Sequence, residues 1–432
     1  MKLKNLIYFI CITLLLCACG KDPKEILAEA NAKYKAKDYV AAAILYGEAA
    51  EKGLPEAQHR YGECYYYGEG VEKNLTLAAE WFLKAAEQGY VKAQNDIASC
   101  YEAGEGVSQD YSKAVKWYTA AADSGYSISQ YALGECYANG IGVPANDTIA
   151  FEWYSKAAIQ NHTQAQSCLA NCYFNGLGVN KDPKEGCKWL TKVAEQGDEA
   201  AQLQLGGCYY DGTGVEKDFA LAVEWFKKAA EKNNPMAQLY IGECYLLGEG
   251  VEQNDTIAVE WIEKSAQQGC SEAKATLGKC YYEGTGVEAD TIKAEPLLLE
   301  AAQNDDVLAQ YYIGMIYLSY EPKKNPSEAI KWLEKSAKGK NGEAQFNLAI
   351  CYEEGNGVEK DITQAIKWYN KAVENGHTEA KYNLALCFIN GDGVEINYDT
   401  AEELLKDALN EGLEDAQVVL DDIQRIRYEN DI

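Results

Sequence analysis

Residues 55–90 read PEAQHRYGECYYYGEGVEKNLTLAAEWFLKAAEQGY, two amphipathic patterns joined by a short glycine-rich segment. In the first pattern Tyr61 and Cys64 lie at helical spacing, and in the second Ala78 and Trp81 do the same. The glycines between the two patterns permit backbone angles that are denied to other residues. The stretch therefore predicts a helical hairpin.

The same hairpin recurs along the chain. Gly-x-Gly-Val begins at Gly68, Gly104, Gly140, Gly176, Gly212, Gly248, Gly284, Gly355 and Gly391, with a step of 36 residues except for one step of 71. All eight tryptophans follow the same period, and Leu297 and Leu404 fill the two remaining positions. This period predicts ten units over residues 54–413, of which the unit at about 307–340 is degenerate because Ser319–Pro326 replaces its glycine loop.

An Asn or Asp follows each glycine loop, at the start of the predicted second helix. These residues are Asn74, Asp110, Asn146, Asp182, Asp218, Asn254, Asp290, Asp361 and Asn397. A side-chain oxygen at this position accepts a hydrogen bond from an unpaired helix amide and stabilises the helix by about 1 kcal/mol. We therefore predict that each of them is a helix N-cap.

The pattern A-x-x-x-L-G-x-x-Y-x-x-G-x-G-V-x-x-D-x-x-x-A-x-x-W-x-x-x-A-A-x-x-G resembles that of Sel1-like repeats, relatives of the tetratricopeptide repeat. The resemblance covers residues 54–413 and implies an all-α, right-handed solenoid of stacked helical hairpins whose first helices line the concave side. Residues 24–53 resemble an ordinary tetratricopeptide hairpin, with a Lys-Asp turn in place of the glycine loop. Residues 414–432 should supply a helix that caps the exposed end, as solenoids need.

Residues 1–18 are typical of an export signal, with Lys2 and Lys4 before a short apolar stretch. The segment Leu16-Cys17-Ala18-Cys19 resembles a bacterial lipobox, which implies cleavage before Cys19 and acylation of this residue, with 19–23 as a tether. Gly20 rather than Asp follows, which favours the outer membrane and leaves open whether the protein faces the periplasm or the cell surface. An ordinary secretory signal is the alternative.

The charge balance narrows the choice of partner. The 432 residues carry 40 Lys and Arg against 67 Asp and Glu, a formal charge of -27. So acidic a chain repels phosphate backbones, and we do not expect it to bind nucleic acid. Basic proteins, cations and neutral glycans remain compatible with this charge.

The chain shows no pattern typical of catalysis or of a cofactor. Nine of its fifteen cysteines occupy one repeated position, which indicates small core residues rather than disulfides. Cys168 and Cys172 lie four residues apart, but no histidine or further cysteine accompanies them at ligand spacing, so we predict no metal site. The three histidines fall in different units. The resemblance leaves a hydrolase, of the cysteine-rich Sel1-like type, as a remote alternative.

The variable positions of the first helices form the candidate partner-binding surface. They fall on one face at i, i+4 and i+7, beginning with His59, Glu63 and Tyr66. In the last three units this face becomes apolar and aromatic, and its six candidate contacts are Tyr311, Met315, Phe346, Ile350, Tyr382 and Leu386. We refer to these six residues as the apolar stripe. It indicates either a groove for a helix or an extended peptide, or a surface covered by the capping helix.

The sequence thus favours a non-enzymatic, lipid-anchored scaffold or adaptor that binds other envelope proteins. A glycan-binding or host-interaction lipoprotein is the alternative, since 32 tyrosines offer rings that stack on sugars. Asp-Thr pairs that begin at Asp147, Asp255, Asp290 and Asp399 resemble an O-glycosylation sequence of exported bacterial proteins, although Asp and Thr are also expected at helix starts.

Overall fold

A computed structural model describes residues 21–430, so the predicted signal peptide and Cys19 lie outside the described residues. Within this range the chain forms twenty-three α-helices and one short 3-10 helix, with no β-strand. None of the helices in residues 21–430 is both long and apolar enough to cross a bilayer. The predicted all-α architecture of stacked helical hairpins is confirmed.

The chain divides into two compact units. The N-terminal unit comprises the described residues up to Ala201 together with Asp211–Lys217, and the C-terminal unit comprises Gln202–Tyr210 together with the residues from Asp218 onward. Each consists of antiparallel hairpins, and consecutive helices pack against each other.

The helices of the N-terminal unit are α1 (Pro23–Lys35), α2 (Tyr39–Glu51), α3 (Pro55–Tyr67), α4 (Leu75–Glu87), α5 (Val91–Ala103), α6 (Tyr111–Asp123), α7 (Ser127–Asn139), α8 (Asp147–Ile159), α9 (Thr163–Asn175) and α10 (Pro183–Glu195). Helix α11 (Glu199–Asp211) contributes residues to both units. Those of the C-terminal unit are α12 (Phe219–Ala230), α13 (Pro235–Leu247), α14 (Asp255–Gln267), α15 (Ser271–Glu283), α16 (Thr291–Gln303), α17 (Val307–Ser319), α18 (Pro326–Lys338), α19 (Gly342–Glu354), α20 (Ile362–Glu374), α21 (Thr378–Asn390), α22 (Tyr398–Asn410) and α23 (Asp415–Asn430).

The predicted N-caps are confirmed at all nine positions. In α4, for example, Asn74 Oδ1 accepts a hydrogen bond of 3.1 Å from the amide of Leu77. The degenerate unit keeps this device as well, because Asn325 Oδ1 accepts from the Glu328 amide at 3.2 Å. A 3-10 helix, Glu321–Lys323, takes the place of the glycine loop there. The second helix of the degenerate unit therefore begins with the same type of N-cap as the second helices of the other units.

The glycine loop has a second role that concerns packing. Gly104 ends α5 in the left-handed conformation, with a φ of 75°, as the sequence predicts. Gly106 also has a positive φ, of 72°, and a Cβ atom there would lie 2.0 Å from the carbonyl oxygen of Leu75. Leu75 is the first residue of α4, in the preceding hairpin. The second glycine is therefore required because the loop lies directly against its neighbour.

A buried glutamine joins three consecutive helices. Gln58 on α3 donates to the carbonyl of Ala50 at the end of α2, and its Oε1 accepts from Gln88 just after α4, at 2.7 Å. The same glutamine-to-glutamine bond recurs as Gln160 to Gln130, Gln196 to Gln166 and Gln268 to Gln238, and Asn375 takes the place of the donor glutamine in its bond to Gln345. Each of these bonds gives a buried polar side chain its partner and fixes one helix against the next.

The repeated cysteines are buried, as predicted, and all twelve cysteines among residues 21–430 are free thiols. Cys64 and Cys100 are 2% and 3% exposed. Burial raises the pKa of both thiols to about 12, because the thiolate is poorly solvated in the core. These cysteines therefore act as small apolar core residues.

Candidate functional site

The apolar stripe lies on three first helices of the C-terminal unit. Its members occupy equivalent positions, one turn apart on each helix, and all six are half-buried: Tyr311 and Met315 on α17, Phe346 and Ile350 on α19, and Tyr382 and Leu386 on α21. The helical spacing predicted for these residues thus holds, and each side chain keeps part of its surface accessible. Whether a partner uses this surface stays a prediction.

Tyr311 packs against clusters that include residues of its own hairpin and of both neighbouring hairpins. Its ring contacts that of Tyr312 edge-on, with 5.0 Å between the ring centroids. The side chain also packs against a cluster that contains Leu333 and Leu348. Burial raises the pKa of the Tyr311 hydroxyl to about 12, so this group remains a neutral hydrogen-bond donor at physiological pH.

Phe346 is fixed by a histidine of the next hairpin. The His377 ring stacks on it with 4.3 Å between centroids and 24° between planes. His377 is 8% exposed, and its Nδ1 accepts a hydrogen bond of 3.2 Å from the amide of Ala380 as the N-cap of α21. The contact orients the Phe346 ring, and it places a titratable group beside the stripe.

The last helix, α23, covers one part of the apolar stripe. Tyr382 packs against a cluster that includes Leu420 and Ile423 of α23. Tyr311 and Phe346 pack against clusters that contain no residue of α23. The α17 and α19 portions therefore owe their burial to other helices, whereas the α21 portion is partly covered by the capping helix.

Glutamates of first helices in both units accept hydrogen bonds from tyrosines. Glu353 accepts a hydrogen bond of 2.6 Å from the Tyr369 hydroxyl, and burial together with this bond raises the tyrosine pKa. In the N-terminal unit Glu102 accepts from Tyr118 at 2.7 Å. Each bond fixes the position of one glutamate side chain on a first helix.

One part of the predicted surface is corrected by the structure. His59, expected at its beginning, is 2% exposed and so is not available to a macromolecular partner. Its Nε2 lies 2.7 Å from Asp96 Oδ2 on α5, and Glu63 is one turn away on α3. Sequence reasoning missed Asp96 because it is adjacent to Asn95, the residue at the variable position. Among residues 21–430, His59, Glu63 and Asp96 are the one group of at least three His, Cys, Asp or Glu residues whose possible ligand atoms all lie within 4.8 Å of one another.

The pair Cys168 and Cys172 does not resemble a metal site. Cys168 is half-buried with its Sγ 3.8 Å from Glu135 Oε1, and Cys172 is buried. Burial raises the two thiol pKa values to about 12 and about 11. Both groups therefore remain protonated thiols inside the repeat and pack as small side chains.

The Sel1 repeat family model matches nearly the whole described chain. Its matched segments are 32–54, 55–90, 91–126, 127–162, 163–198, 199–234, 235–270, 271–306, 307–341, 342–377 and 378–413. They include the degenerate unit. The first of them, 32–54, overlaps residues 24–53, the hairpin that resembles the tetratricopeptide type.

Solved structures share the fold over long stretches. The chain is similar to a protective antigen present in uropathogenic Escherichia coli strains and displaying an SLR fold, with 32% identity and a TM-score of 0.88 over 94% of this chain and 88% of the other. A Sel1 repeat protein from Oxalobacter formigenes is 31% identical, with a TM-score of 0.58 over 71% and 89% of the two chains.

Among curated proteins the likeness is local. An F-box protein of Arabidopsis thaliana is 39% identical over 67 residues, which are 16% of this chain and 19% of that protein. The DAP3-binding cell death enhancer 1 of Rattus norvegicus is 34% identical over 70 residues, 16% and 14% of the two chains. The chain thus spans less than a fifth of the length of these relatives. The family match over residues 32–413 and the shared fold show that the chain belongs to the Sel1 repeat family.

Proposed function

We propose that the protein is a non-enzymatic, lipid-anchored adaptor of the bacterial cell envelope that binds another protein through the apolar stripe. The observation that carries this proposal is the placement of half-buried aromatic and aliphatic side chains at equivalent positions of α17, α19 and α21. Repeat proteins use such series of equivalent positions as extended binding surfaces.

The chemistry of the surface defines the partner. Tyr311 and Phe346 are rigid aromatic side chains, a class enriched at the energetic centres of protein interfaces. Glu353 lies on the same face at the end of α19 and supplies negative charge. We therefore infer a partner segment, helical or extended, with apolar anchors and a flanking Lys or Arg.

Crosslinking in the native cells tests this function. The parent protein and a Tyr311→Ala, Phe346→Ala, Tyr382→Ala variant are crosslinked and purified, and the proteins that copurify are identified. The matched control replaces the equivalent residues of three earlier hairpins, Asn95, Tyr131 and Ser167, by alanine. A protein retained by the parent and the control but lost from the stripe variant supports the adaptor function. An unchanged set of copurifying proteins contradicts it.

The anchor is a separate part of the proposal, and it rests on the lipobox-like segment that ends at Cys19. Metabolic labelling with a radioactive fatty acid should mark the parent and a Cys17→Ala variant, and should fail in a Cys19→Ala variant. Labelling that survives Cys19→Ala would contradict acylation at this residue. Fractionation of the labelled cells then assigns the membrane, which we propose to be the outer one.

A host-facing role is the second candidate, because 94% of this chain is similar to the protective antigen present in uropathogenic Escherichia coli strains. If glycans are the ligand, tyrosines rather than tryptophans are the expected platforms, since lysines cover the indole rings: Lys228 Nζ lies 3.6 Å from the ring centroid of Trp225. Protease treatment of intact cells tests surface exposure, and a glycan array then tests sugar binding. Protection from the protease would exclude both forms of this candidate.

A further inference from the structure

Three side chains of different residue types meet near the start of the repeat array. His59 and Glu63 lie one turn apart on α3, and Asp96 lies on α5, the first helix of the next hairpin. One donor atom from each of the three falls within 4.8 Å of the other two. Imidazole and carboxylate are the ligands that zinc and related divalent cations take in proteins.

The His59 ring is enclosed, and only one of its nitrogens is satisfied. Its centroid lies 5.5 Å from that of Phe82 and 5.2 Å from that of Tyr90. Nε2 lies 2.7 Å from Asp96 Oδ2, whereas the buried Nδ1 has no hydrogen-bond partner. The nearest carboxylate oxygen to Nδ1 is that of Glu63, at 3.8 Å, beyond hydrogen-bonding distance. An unpaired buried nitrogen is costly, so its position calls for a missing partner.

This arrangement has the chemistry of a metal-binding histidine. When Asp96 accepts a hydrogen bond from Nε2–H, the lone pair of the ring is on Nδ1, and the carboxylate orients the ring. The two ligands of a tetrahedral zinc ion lie about 3.3 Å apart when each bond is about 2.0 Å. Binding of the ion would require the Glu63 side chain, which is 28% exposed, to move about 0.5 Å closer to Nδ1 than its present 3.8 Å.

We propose that His59 Nδ1 and the Glu63 carboxylate bind a divalent transition-metal cation, with Zn²⁺ as the reference ion, and that Asp96 holds the imidazole in place. A cleft of about 160 Å³ adjoins the group and is lined by Glu63, Asp96, Tyr66, Asn95 and Ser99 among others. This cleft admits the waters that complete the coordination of an ion with two protein ligands. The site is independent of the apolar stripe, which lies in the other unit.

Arg60 sets the affinity of the site. Its Nη1 lies 2.9 Å from Glu63 Oε2, so the guanidinium and the cation compete for the same carboxylate. The Arg60 side chain is 39% exposed and has room to withdraw into solvent. Removal of its charge should therefore tighten cation binding, a result that a merely structural contact between these residues does not produce.

Calorimetric titration of the full chain with Zn²⁺ tests the proposal, on protein freed of any histidine tag, kept reduced, and in excess Mg²⁺. The magnesium occupies weak all-oxygen sites on so acidic a surface. We expect one Zn²⁺ site in the parent, a loss of at least about tenfold in affinity for Asp96→Asn, and no detectable binding for Glu63→Gln. His59→Phe, which keeps an aromatic ring between Phe82 and Tyr90, should also abolish binding.

The matched variants make the outcome decisive. His162→Asn replaces a half-buried histidine of a different hairpin, and it should leave Zn²⁺ binding unchanged, whereas Arg60→Gln should strengthen it. Circular dichroism checks that each variant is folded. If His59→Phe does not fold, the Glu63→Gln change at a half-buried position still tests the site. Absence of Zn²⁺ binding in the parent, or binding that survives both His59→Phe and Glu63→Gln, overturns the proposal.

Discussion

Lys381 and Glu411 form an ion pair, with 2.5 Å between Lys381 Nζ and Glu411 Oε1. In their repeat they occupy the positions equivalent to those of Gln58 and Gln88, which share an amide hydrogen bond. The Lys381 side chain is 11% exposed, whereas that of Glu411 is 42% exposed. Hydrogen bonds from Lys381 and from Thr378 lower the pKa of Glu411. One hairpin thus replaces a neutral pair by a charged pair and keeps the bond between its first helix and the end of its second.

The charged pair should make the last hairpin sensitive to acid. Because the pKa of Glu411 is lower in the folded protein, its contribution to stability is present above the ordinary glutamate value of 4.5 and is lost as the pH falls through the lower folded value. In the Lys381→Gln, Glu411→Gln double variant this dependence should disappear. Urea unfolding of both proteins across this pH range measures the difference. An equal acid sensitivity in the two proteins contradicts the expectation.

A single substitution should create the glutamine-to-glutamine bond in the Sel1 unit at residues 91–126. Gln94 donates to the carbonyl of Ala86, but its buried Oε1 has no partner. Ser124 stands where other hairpins have a glutamine, and its hydroxyl donates within its own helix, to Ala120. A glutamine at position 124 can donate to Gln94 Oε1, so we expect Ser124→Gln to raise the free energy of unfolding by about 1 kcal/mol. Denaturant unfolding of the parent and the variant measures this difference.

The reverse change supplies the control for that prediction. Gln88→Ser removes an existing bond to Gln58 and should lower stability by a similar amount. If Ser124→Gln has no effect while Gln88→Ser is destabilising, a water molecule already satisfies Gln94.

Replacement by alanine should destabilise the protein more at a loop glycine that contacts the preceding hairpin than at a glycine that follows a second helix. Both kinds of glycine have a positive φ. Gly106→Ala places a Cβ atom 2.0 Å from the Leu75 carbonyl oxygen, so the loop must separate from the preceding hairpin. Gly125 has a φ of 88° and nothing within 4 Å of the equivalent point, and its replacement should cost only the left-handed strain, about 1–2 kcal/mol. Melting temperatures of the two variants give the comparison. A Gly106→Ala protein as stable as Gly125→Ala would disprove the close contact.

The cysteines should differ in reactivity according to burial. Cys270 is half-buried at the start of α15, whereas Cys64, Cys136 and Cys244 are buried with their pKa values raised to about 12. Since the thiolate is the reactive form, an alkylating reagent at pH 8 should modify Cys270 first among the described cysteines. Mass spectrometry of the peptides identifies the modified site. A Cys270→Ser variant should lose the fast phase, and a fast phase that persists there would contradict this order.

The sequence predicts well whatever depends on one hairpin. The N-cap at Asn74 follows from residues within one helical turn, and the burial of Cys64 follows from its period. Contacts between hairpins are less accessible to sequence reasoning. His59 meets Asp96 across 37 residues, and this depends on the side-chain conformations of two different helices. The stacking of His377 on Phe346 likewise depends on how the start of α21 is placed against α19. The period thus indicates where the apolar stripe lies, but not how firmly its rings are held.

The contact of Gly106 with Leu75 has a consequence for how such a chain changes in evolution. Because each loop docks on the beginning of the preceding second helix, and both partners recur in successive units, the same junction re-forms when a complete unit is lost or duplicated in frame. Recombination between neighbouring repeats therefore yields shorter or longer arrays with intact junctions, whereas an insertion of a few residues within a loop does not. Length variants among relatives should accordingly differ by whole units, and the spacing between binding surfaces would change in the same steps.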